Sequence, residues 1–566
     1  MPTAANITLP ETLELLDGPF SGVAKAISEG GYALWLGSGI SRDKVIGLDG
    51  VLAKLIEFLR RGLTGEDAAA YQTAFNKVIG LANPSPEELA AIDLGRPASD
   101  WTCLPALLPR LWKQYAAVLS VEIPGKDRDY LLWDGLEFSD TFAAQDADVE
   151  HLAVALLALE GVVSDVATPN WDGLIEAAMA ELGHADATFK ITVTGEDLRT
   201  PQGAQATLYK FHGCARRAIE DQPNYRRLLV ARSGQIIGWS SSDTFKIVRD
   251  QLGALIQRSR ALLIGLSAQD TNIQHMFAQV GAHVGWRWDD PPTPVVISSQ
   301  ELGDDQKTLL EVFYGEAYDP NREVICEAAT LRAYAKPLLI ALVLSVLTEK
   351  LKILLSDVVS PALDEAGQAA LGTGLVHIRN AVADAGDADR PALIRTIAAA
   401  ASRAHHQLQD GSSADGIPAY FPLDTQPANL MKGKLALAAS GQREAAVALG
   451  LIGLDMASSA WSTMIDDPSV KTSGALRMKG ASEARVFLAA NDSAVGSLLD
   501  AGAFEEDSAD VVVICSKKVT DRQQRNPSAS FRDGLIGPRY VSLGTMLAES
   551  PTLDELRDRF RKEVSV

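Results

Sequence analysis

Glycine and serine follow the first apolar run of the chain. Gly37-Ser-Gly-Ile-Ser41 comes directly after Tyr32–Leu36. Glycines at such a turn let a backbone approach a phosphate closely, and a helix N-terminus favours an anion. The motif alone also fits an ordinary strand-to-helix turn, because a dinucleotide fingerprint would have glycine where this chain has Arg42.

An amide and a carboxylate follow a second apolar run. Asn170 and Asp172 belong to Ala167-Thr-Pro-Asn-Trp-Asp172, directly after Gly161–Val166. Open α/β sheets bind ligands at the carboxyl ends of their strands. The Asn170 amide can donate one hydrogen bond while it accepts another from water. Asp172 by itself also fits the N-cap of a helix over Gly173–Leu182.

A histidine follows a third run, in Leu208-Tyr-Lys-Phe-His-Gly213. An imidazole with a pKa near its usual value of about 6.5 can take a proton at neutral pH. A lone histidine such as His212 is more often structural. Two further apolar runs end in small polar residues, at Gly265-Leu-Ser267 and Ile297-Ser298.

These runs alternate with helical patterns, which predicts an α/β fold with a parallel sheet over about residues 32–297. Val51, Leu52, Leu55, Ile56 and Leu59 share one helical face, and residues 45–150 are predicted to form a helical insertion. Residues 331–475 are rich in alanine and leucine and are predicted to be helical. Residues 476–566 are predicted to form a small α/β region. The strands are expected at Tyr32–Leu36, Gly161–Ala167, Thr207–Phe211, Ala261–Gly265, Pro294–Ser298, Arg485–Ala489, Asp510–Cys515 and Arg539–Gly544.

Composition excludes several classes of protein. A net charge of −21 disfavours an autonomous nucleic-acid binder. Lys517, Lys518, Arg522, Arg525 and Arg532 form either a local basic patch or, more simply, a solvated loop. Four scattered cysteines give neither a disulfide framework nor a Cys-x-x-Cys zinc site. Leu338–Leu347 is too short to span a membrane, which predicts a buried helix and a cytoplasmic protein.

In order and character, the five motifs resemble those of sirtuins, over roughly residues 15–330. Gly37–Ser41 is similar to the family's Gly-Ala-Gly-Ile-Ser loop, and Thr168–Asp172 to its Thr-Gln-Asn-Ile-Asp. His212-Gly213 is similar to the catalytic His-Gly, Gly265–Ser267 to Gly-Thr-Ser, and Ile297-Ser298 to Ile-Asn. The resemblance implies a Rossmann-like SIR2 domain over residues 1–330.

The resemblance also implies a role for each residue. Asn170 would position water and the nicotinamide ribose, and His212 would act as base or ribose partner. Asp172 would contact the carboxamide. The pyrophosphate and adenosine would be bound by Gly37, Ser38, Gly39, Ser41, Gly265, Ser267 and Ser298.

Three departures from deacetylating sirtuins matter. The four-cysteine zinc module is missing, Trp171 replaces an isoleucine beside the nicotinamide pocket, and residues 45–150 are inserted. These features resemble SIR2-like NADases of bacterial antiphage systems, including the Sir2–HerA type. The resemblance implies hydrolysis of NAD to nicotinamide and ADP-ribose without a metal. It also implies a homo-oligomer held inactive until a partner, such as a HerA-like ATPase or a short Argonaute, responds. Alternatives are an NAD or nucleotide sensor, a scaffold for the partner and, last, an NAD-dependent deacylase.

Overall fold

The computed structural model describes residues 2–143, 146–185, 188–199, 204–281, 285–409, 411, 419–518 and 537–566. Arg522, Arg525 and Arg532 of the predicted basic loop lie outside the described residues. The α/β fold predicted from the sequence is confirmed. It consists of a parallel sheet with flanking helices, a helical region and a smaller C-terminal sheet.

Seven strands in the described part of the chain form the larger sheet, in the order β3-β4-β2-β1-β5-β6-β7. All neighbours pair in parallel. Both faces of β1 are buried, since Tyr32 and Leu34 pack into one apolar cluster and Trp35 into another. A strand covered on both sides needs the continuous apolar run seen in the sequence. The strands are β1 Tyr32–Leu36, β2 Asp165–Thr168, β3 Phe189–Thr192, β4 Ala206–Lys210, β5 Arg260–Ile264, β6 Val295–Ser298 and β7 Thr330–Leu331.

The prediction for β2 placed its beginning too early. Residues 161–163 instead complete the preceding helix. Gly161 has a φ of +70°, and the Val163 N–H donates to the carbonyl of Leu157. Apolar character alone does not separate these residues from the strand, because both are buried.

The residues between β1 and β2 are largely helical, as predicted, and most of these helices share one apolar cluster. Leu52, Leu55, Ile56 and Leu59 are buried on one face of the first inserted helix. The helices up to β2 are α1 Leu9–Asp17, α2 Ser21–Ser28, α3 Leu48–Gly62, α4 Ala68–Leu81, α5 Pro86–Ala90, α6 Leu104–Trp112, α7 Tyr115–Leu119, α8 Phe138–Phe142 and α9 Val149–Leu159.

Most helices between β2 and residue 329 pack against the larger sheet. They are α10 Leu174–Glu181, α11 Ala215–Glu220, α12 Gln222–Tyr225, α13 Ser233–Trp239, α14 Asp243–Arg258, α15 Thr271–Gly281, α16 Asp304–Tyr314 and α17 Tyr318–Ala329. The helix predicted over Gly173–Leu182 is confirmed by α10.

The remaining helices are α18 Ala335–Ser356, α19 Glu365–Gly386, α20 Arg390–Gln409, α21 Leu435–Ala439, α22 Gln442–Ala457, α23 Asp492–Asp500, α24 Leu543–Glu549 and α25 Leu553–Val564. Leu338–Leu347 is buried in α18, as predicted. No helix among the described residues is long and apolar enough to cross a membrane.

Helix α18 links the two halves of the molecule. Its first half packs against the larger sheet, and Leu354 and Leu355 pack with the C-terminal region. The fully buried Lys350 Nζ donates to Glu160 Oε2 and to the Glu160 carbonyl, both at 2.6 Å. Tyr420 Oη donates to the other Glu160 oxygen at 2.5 Å. Burying this ion pair is tolerable because both charges have several partners.

The glycines of α22 correct a second prediction. Gly441, Gly450 and Gly453 were expected to break or loosen a helix over Gly433–Ile465. Only Gly441, with a φ of +82°, lies at a helix end. A Cβ on Gly453 would lie 1.9 Å from the carbonyl oxygen of Gly374 on α19. The two interior glycines are therefore explained by close helix packing.

A five-stranded mixed sheet completes the fold of the described residues, in the order β12-β11-β10-β9-β8. The pairs β10–β11 and β11–β12 are parallel, and the other two are antiparallel. Ile465 lies in a strand and not in the predicted helix. The strands are β8 Ser462–Ile465, β9 Leu476–Lys479, β10 Glu483–Ala489, β11 Val511–Cys515 and β12 Arg539–Ser542.

Candidate active site at the carboxyl edge of the larger sheet

Three glycines join the loops that follow the neighbouring strands β1 and β5. The Gly39 N–H donates to the Gly265 carbonyl at 3.0 Å. A Cβ on Gly37 would lie 2.3 Å from that oxygen, and one on Gly39 would lie 2.6 Å from Gly265 Cα. Gly265 itself has a φ of +63°. These glycines are thus required by the contact of two backbones, whatever they also offer to a ligand.

Asn170 fixes the loop after β2 to the glycine loop. Its Nδ2 donates to the Gly37 carbonyl at 3.0 Å, and its own N–H donates to Thr168 Oγ1 at 3.0 Å. The side chain is half-buried. With one amide proton held by Gly37, Oδ1 has a set orientation in which it can accept from water.

Ser41 and Asp172 are in direct contact below this loop. Ser41 Oγ donates to Asp172 Oδ2 at 3.0 Å, and both residues are buried. The other Asp172 oxygen accepts from the Leu174 N–H at 3.3 Å. The alternative interpretation of Asp172 as a helix cap therefore describes part of what it does, since Leu174 begins α10.

His151 completes this group and was not found from the sequence. Its Nε2 lies 3.1 Å from Ser41 Oγ, and its Nδ1 accepts from the Asp148 N–H at 3.2 Å. A nitrogen that accepts leaves the proton on Nε2, so His151 donates to Ser41 and Ser41 donates to Asp172. The only local signal was a histidine three residues after Asp148, an N-cap residue.

The surroundings of His151 keep it neutral. Its side chain is fully buried. Burial lowers the pKa of His151 to about 4, against the opposing influence of Asp172 and Asp148. At neutral pH the hydrogen bonds that run from the Asp148 N–H through His151 and Ser41 to Asp172 are therefore all present.

His212 lies at the end of β4 and faces a carboxylate. Its Nε2 is 3.0 Å from Asp270 Oδ2, without the angles of a hydrogen bond. Burial alone would raise the pKa of Asp270, but contacts with His212 and Asn272 lower it below its usual range. The ring of Trp239 packs edge-on at 6.1 Å. Asp270 lies three residues after Gly265-Leu-Ser267, yet nothing in the sequence assigned it to His212.

A buried lysine supports these loops from below. Lys210 Nζ lies 2.6 Å from Glu176 Oε1 and donates to the Asp172 carbonyl. Burial disfavours the ammonium, but the facing groups, including Cys214 and Glu176, raise the pKa of Lys210 above its usual range. Lys210 thus joins Glu176 on α10 to the segment that carries Asn170 and Asp172.

The predicted serines lie in different environments. Ser38 and Ser267 are exposed at the edge of the sheet, after β1 and β5. Ser298 is buried, and its Oγ donates to the Ala333 carbonyl at 2.5 Å. Ser38 and Ser267 are therefore accessible at the edge, whereas the Ser298 hydroxyl is occupied by its hydrogen bond to the backbone.

Trp171 connects the edge to the inserted helices. Its ring packs against Phe142 at 5.5 Å and Phe138 at 6.1 Å, both on α8. Its buried Nε1 has no hydrogen-bond partner among the described residues. The insertion is thus seated directly against the segment that carries Asn170.

This edge now has glycine loops, an anchored amide, and a histidine–carboxylate pair on neighbouring parallel strands. Residues 164–313 match the family model of the SIR2-like domain. The match includes Asn170, Asp172, His212 and Asp270 and supports a SIR2-like fold. No curated protein matches the chain. SIR2-like domains bind NAD, so the domain indicates NAD-related chemistry.

The residues at this edge fit such a ligand. Open α/β sheets bind dinucleotides at this edge, where loops from neighbouring strands diverge. Two buried nitrogens here, Trp171 Nε1 and His212 Nε2, have no hydrogen-bond partner among the described residues. Among those residues, no group of three or more His, Cys, Asp or Glu side chains is arranged to hold a metal ion.

Proposed function

We propose that this protein hydrolyses NAD to nicotinamide and ADP-ribose. The observation that carries the proposal is the His212–Asp270 pair at the same sheet edge as Asn170, whose amide is anchored to the glycine loop. A proton acceptor and an oriented amide are the two groups that such a hydrolysis needs.

Cleavage of the nicotinamide–ribose bond resembles glycoside hydrolysis, with positive charge developing on the sugar. Nicotinamide leaves as a neutral base and takes the bonding electrons, so no strong general acid is required. Water then forms the new bond to the anomeric carbon and must lose a proton. Asn170 Oδ1 would accept from that water, and His212 would take the proton while Asp270 stabilises the imidazolium.

The same site is a poor fit for peptide deacylation. The chain has no Cys-x-x-Cys pair, and the segment after His212 forms the short helices α11, α12 and α13. The deacylases that the motifs resemble use a cysteine-bound zinc module there to shape a peptide groove. Water is therefore the proposed acceptor.

We further propose a cytoplasmic antiphage role, in which NAD loss is the effector step. An enzyme that destroys NAD without control would starve its own cell, so the competent state must be rare. A competent fraction of about 1% needs roughly 2.7 kcal/mol of bias. Contacts within a homo-oligomer, or with a partner such as a HerA-like ATPase or a short Argonaute, would supply it.

Incubation of the purified protein with NAD alone tests the chemistry. Nicotinamide and ADP-ribose are expected in equal amounts, with and without the candidate partner, and with a larger rate in its presence. Binding of NAD without turnover under every condition would instead favour a sensor. Sedimentation of the same samples tests the assembly, and a monomer that is maximally active alone would contradict the proposed control.

A further inference from the structure

Four consecutive exposed residues lie where two of the inserted helices meet. Residues 112–115 run from the last residue of α6 to the first residue of α7. Trp112 is 43% exposed and Tyr115 is 36% exposed, and Lys113 and Gln114 between them are exposed as well. Two aromatic rings this open to solvent are unusual so close together, because each could bury a large apolar area.

Trp112 is fixed to the loop side of β1. Its Nε1 donates to Asp49 Oδ1 at 2.6 Å. Asp49 lies in the first turn of α3, the helix that follows the glycine loop. The ring is therefore held in place although nearly half of its surface is exposed.

Tyr115 is directed to the loop side of β5. Helix α7 packs against α13, and the Ser233 N–H donates to Ser120 Oγ at 3.0 Å. The Ile236 carbonyl of α13 accepts from Asn272 Nδ2 at the beginning of α15. Burial of the hydroxyl and then the charge of Asp270 raise the pKa of Tyr115. Helix α7 and Asn272 thus contact the same helix, α13, and Asn272 lies two residues after Asp270.

Residues 112–115 therefore lie between α3, the helix that follows the glycine loop after β1, and α13, which contacts α15 after β5. Lys113 forms no ion pair with any described residue, in a chain whose net charge is −21. An exposed, unpaired cation in an acidic protein favours an anionic ligand. Exposed aromatic rings on either side favour a planar base.

We propose that residues 112–115 form a clamp for the dinucleotide, a proposal that rests on the proposed function. Trp112 and Tyr115 stack on a planar base of NAD, and Lys113 pairs with its diphosphate. The clamp makes the insertion part of the substrate site and explains why its exposed aromatics are held in fixed positions.

The test measures ligand binding by calorimetry in the His212→Ala protein, in which NAD is not consumed. Trp112→Ala and Tyr115→Ala should each weaken NAD binding on the order of 10-fold, the usual scale of base–aromatic stacking. Lys113→Gln should weaken binding by several fold at low salt and by less at high salt. Leu89→Ala is the control, because Leu89 is 51% exposed in the same insertion.

Two further ligands identify the stacked base. A matching loss for ADP-ribose assigns the aromatics to adenine, and a loss for nicotinamide mononucleotide assigns them to nicotinamide. Tyr115→Phe should keep most of the stacking energy. Unchanged NAD affinity in both alanine variants would overturn the clamp. Absence of NAD binding in the His212→Ala protein and of turnover in the parent would instead overturn the proposed function.

Discussion

The carboxyl ends of parallel strands meet at two places in this protein, and the two edges are built differently. At the larger sheet, the loops leave buried nitrogens of Trp171 and His212 without hydrogen-bond partners. At the smaller sheet, Ser516 follows β11 and is buried. Its hydroxyl donates to the Gly441 carbonyl at 3.1 Å, and its backbone carbonyl accepts from the Gly544 N–H.

We interpret the edge of the larger sheet as a candidate ligand site and the junction at Ser516 as structural. Unsatisfied buried polar groups cost about 1–3 kcal/mol each, so a fold keeps them where something else requires them. A Cβ on Gly441 would lie 2.4 Å from Ser516 Oγ, so backbone fills the space between β10 and β11. The larger sheet also has parallel strands that end side by side, but Ser38 and Ser267 after them are exposed.

The largest expected effect comes from the residues at the first edge. Asn170→Ala and His212→Ala should each reduce NAD turnover by about 10²–10⁴-fold, the range of general acid–base catalysis. Ser516→Ala, at the second edge, should leave turnover unchanged. Turnover and melting temperature are measured on the same preparations. A folded His212→Ala protein with near-native turnover would remove His212 from the mechanism.

Glu150 offers a second test, because it is a buried carboxyl next to His151 of the first edge. It is 4% exposed, one Oε atom has no partner, and burial raises the pKa of Glu150 to about 7. The unfolded value is near 4.5. Between these pH values the folded state holds a proton that the unfolded state has released, so stability falls as pH rises.

Glu150→Gln should therefore raise the free energy of unfolding by about 3 kcal/mol at pH 8 and by much less at pH 5. Urea unfolding at both pH values measures the difference. The lowered pKa of His151 makes stability rise with pH, which is the opposite sense. Because His151 is present in both proteins, its contribution cancels in the comparison. An equal gain at pH 5 and pH 8 would show that Glu150 is not protonated in the native state.

Glycines with positive φ at the two edges give a third test. Gly265→Ala places a Cβ 2.8 Å from the Ile40 nitrogen, and Gly441→Ala places one against Ser516. Each should cost about 1–3 kcal/mol of stability through backbone strain. Only Gly265→Ala should reduce turnover per folded molecule, because only its loop contacts the proposed site. Equal turnover losses would contradict the distinction between the edges.

The sequence predicted the strands that are buried on both faces and missed those with weaker patterns. Tyr32–Leu36 is a continuous apolar run and was placed correctly. Phe189–Thr192 is half-buried at the edge of the sheet and gave no such signal. Gly450 and Gly453 were expected to break or loosen α22, but they allow it to pack closely against α19. Glycine serves both purposes, so the residue type alone does not distinguish them.

At the candidate site, the sequence identified residues but not the contacts that connect them. Asn170, Asp172 and His212 follow strands, and parallel strands bring their carboxyl ends together. His151 is 110 residues from Ser41, and Asp270 lies beyond β5, so no local pattern could pair them with Ser41 and His212. Such pairs depend on how loops from different strands converge.

The smallest expected effect concerns Ser298, which lies at the first edge. Like Ser516 at the second edge, it donates its hydroxyl to a backbone carbonyl. Its Oγ donates to the Ala333 carbonyl, just before α18, and is buried. Ser298→Ala removes a neutral hydrogen bond and should cost about 1 kcal/mol of stability. Because the hydroxyl is already engaged, the KM for NAD should change less than twofold. A larger rise in KM with unchanged stability would show that Ser298 turns to the substrate, and the first edge would then extend to β6.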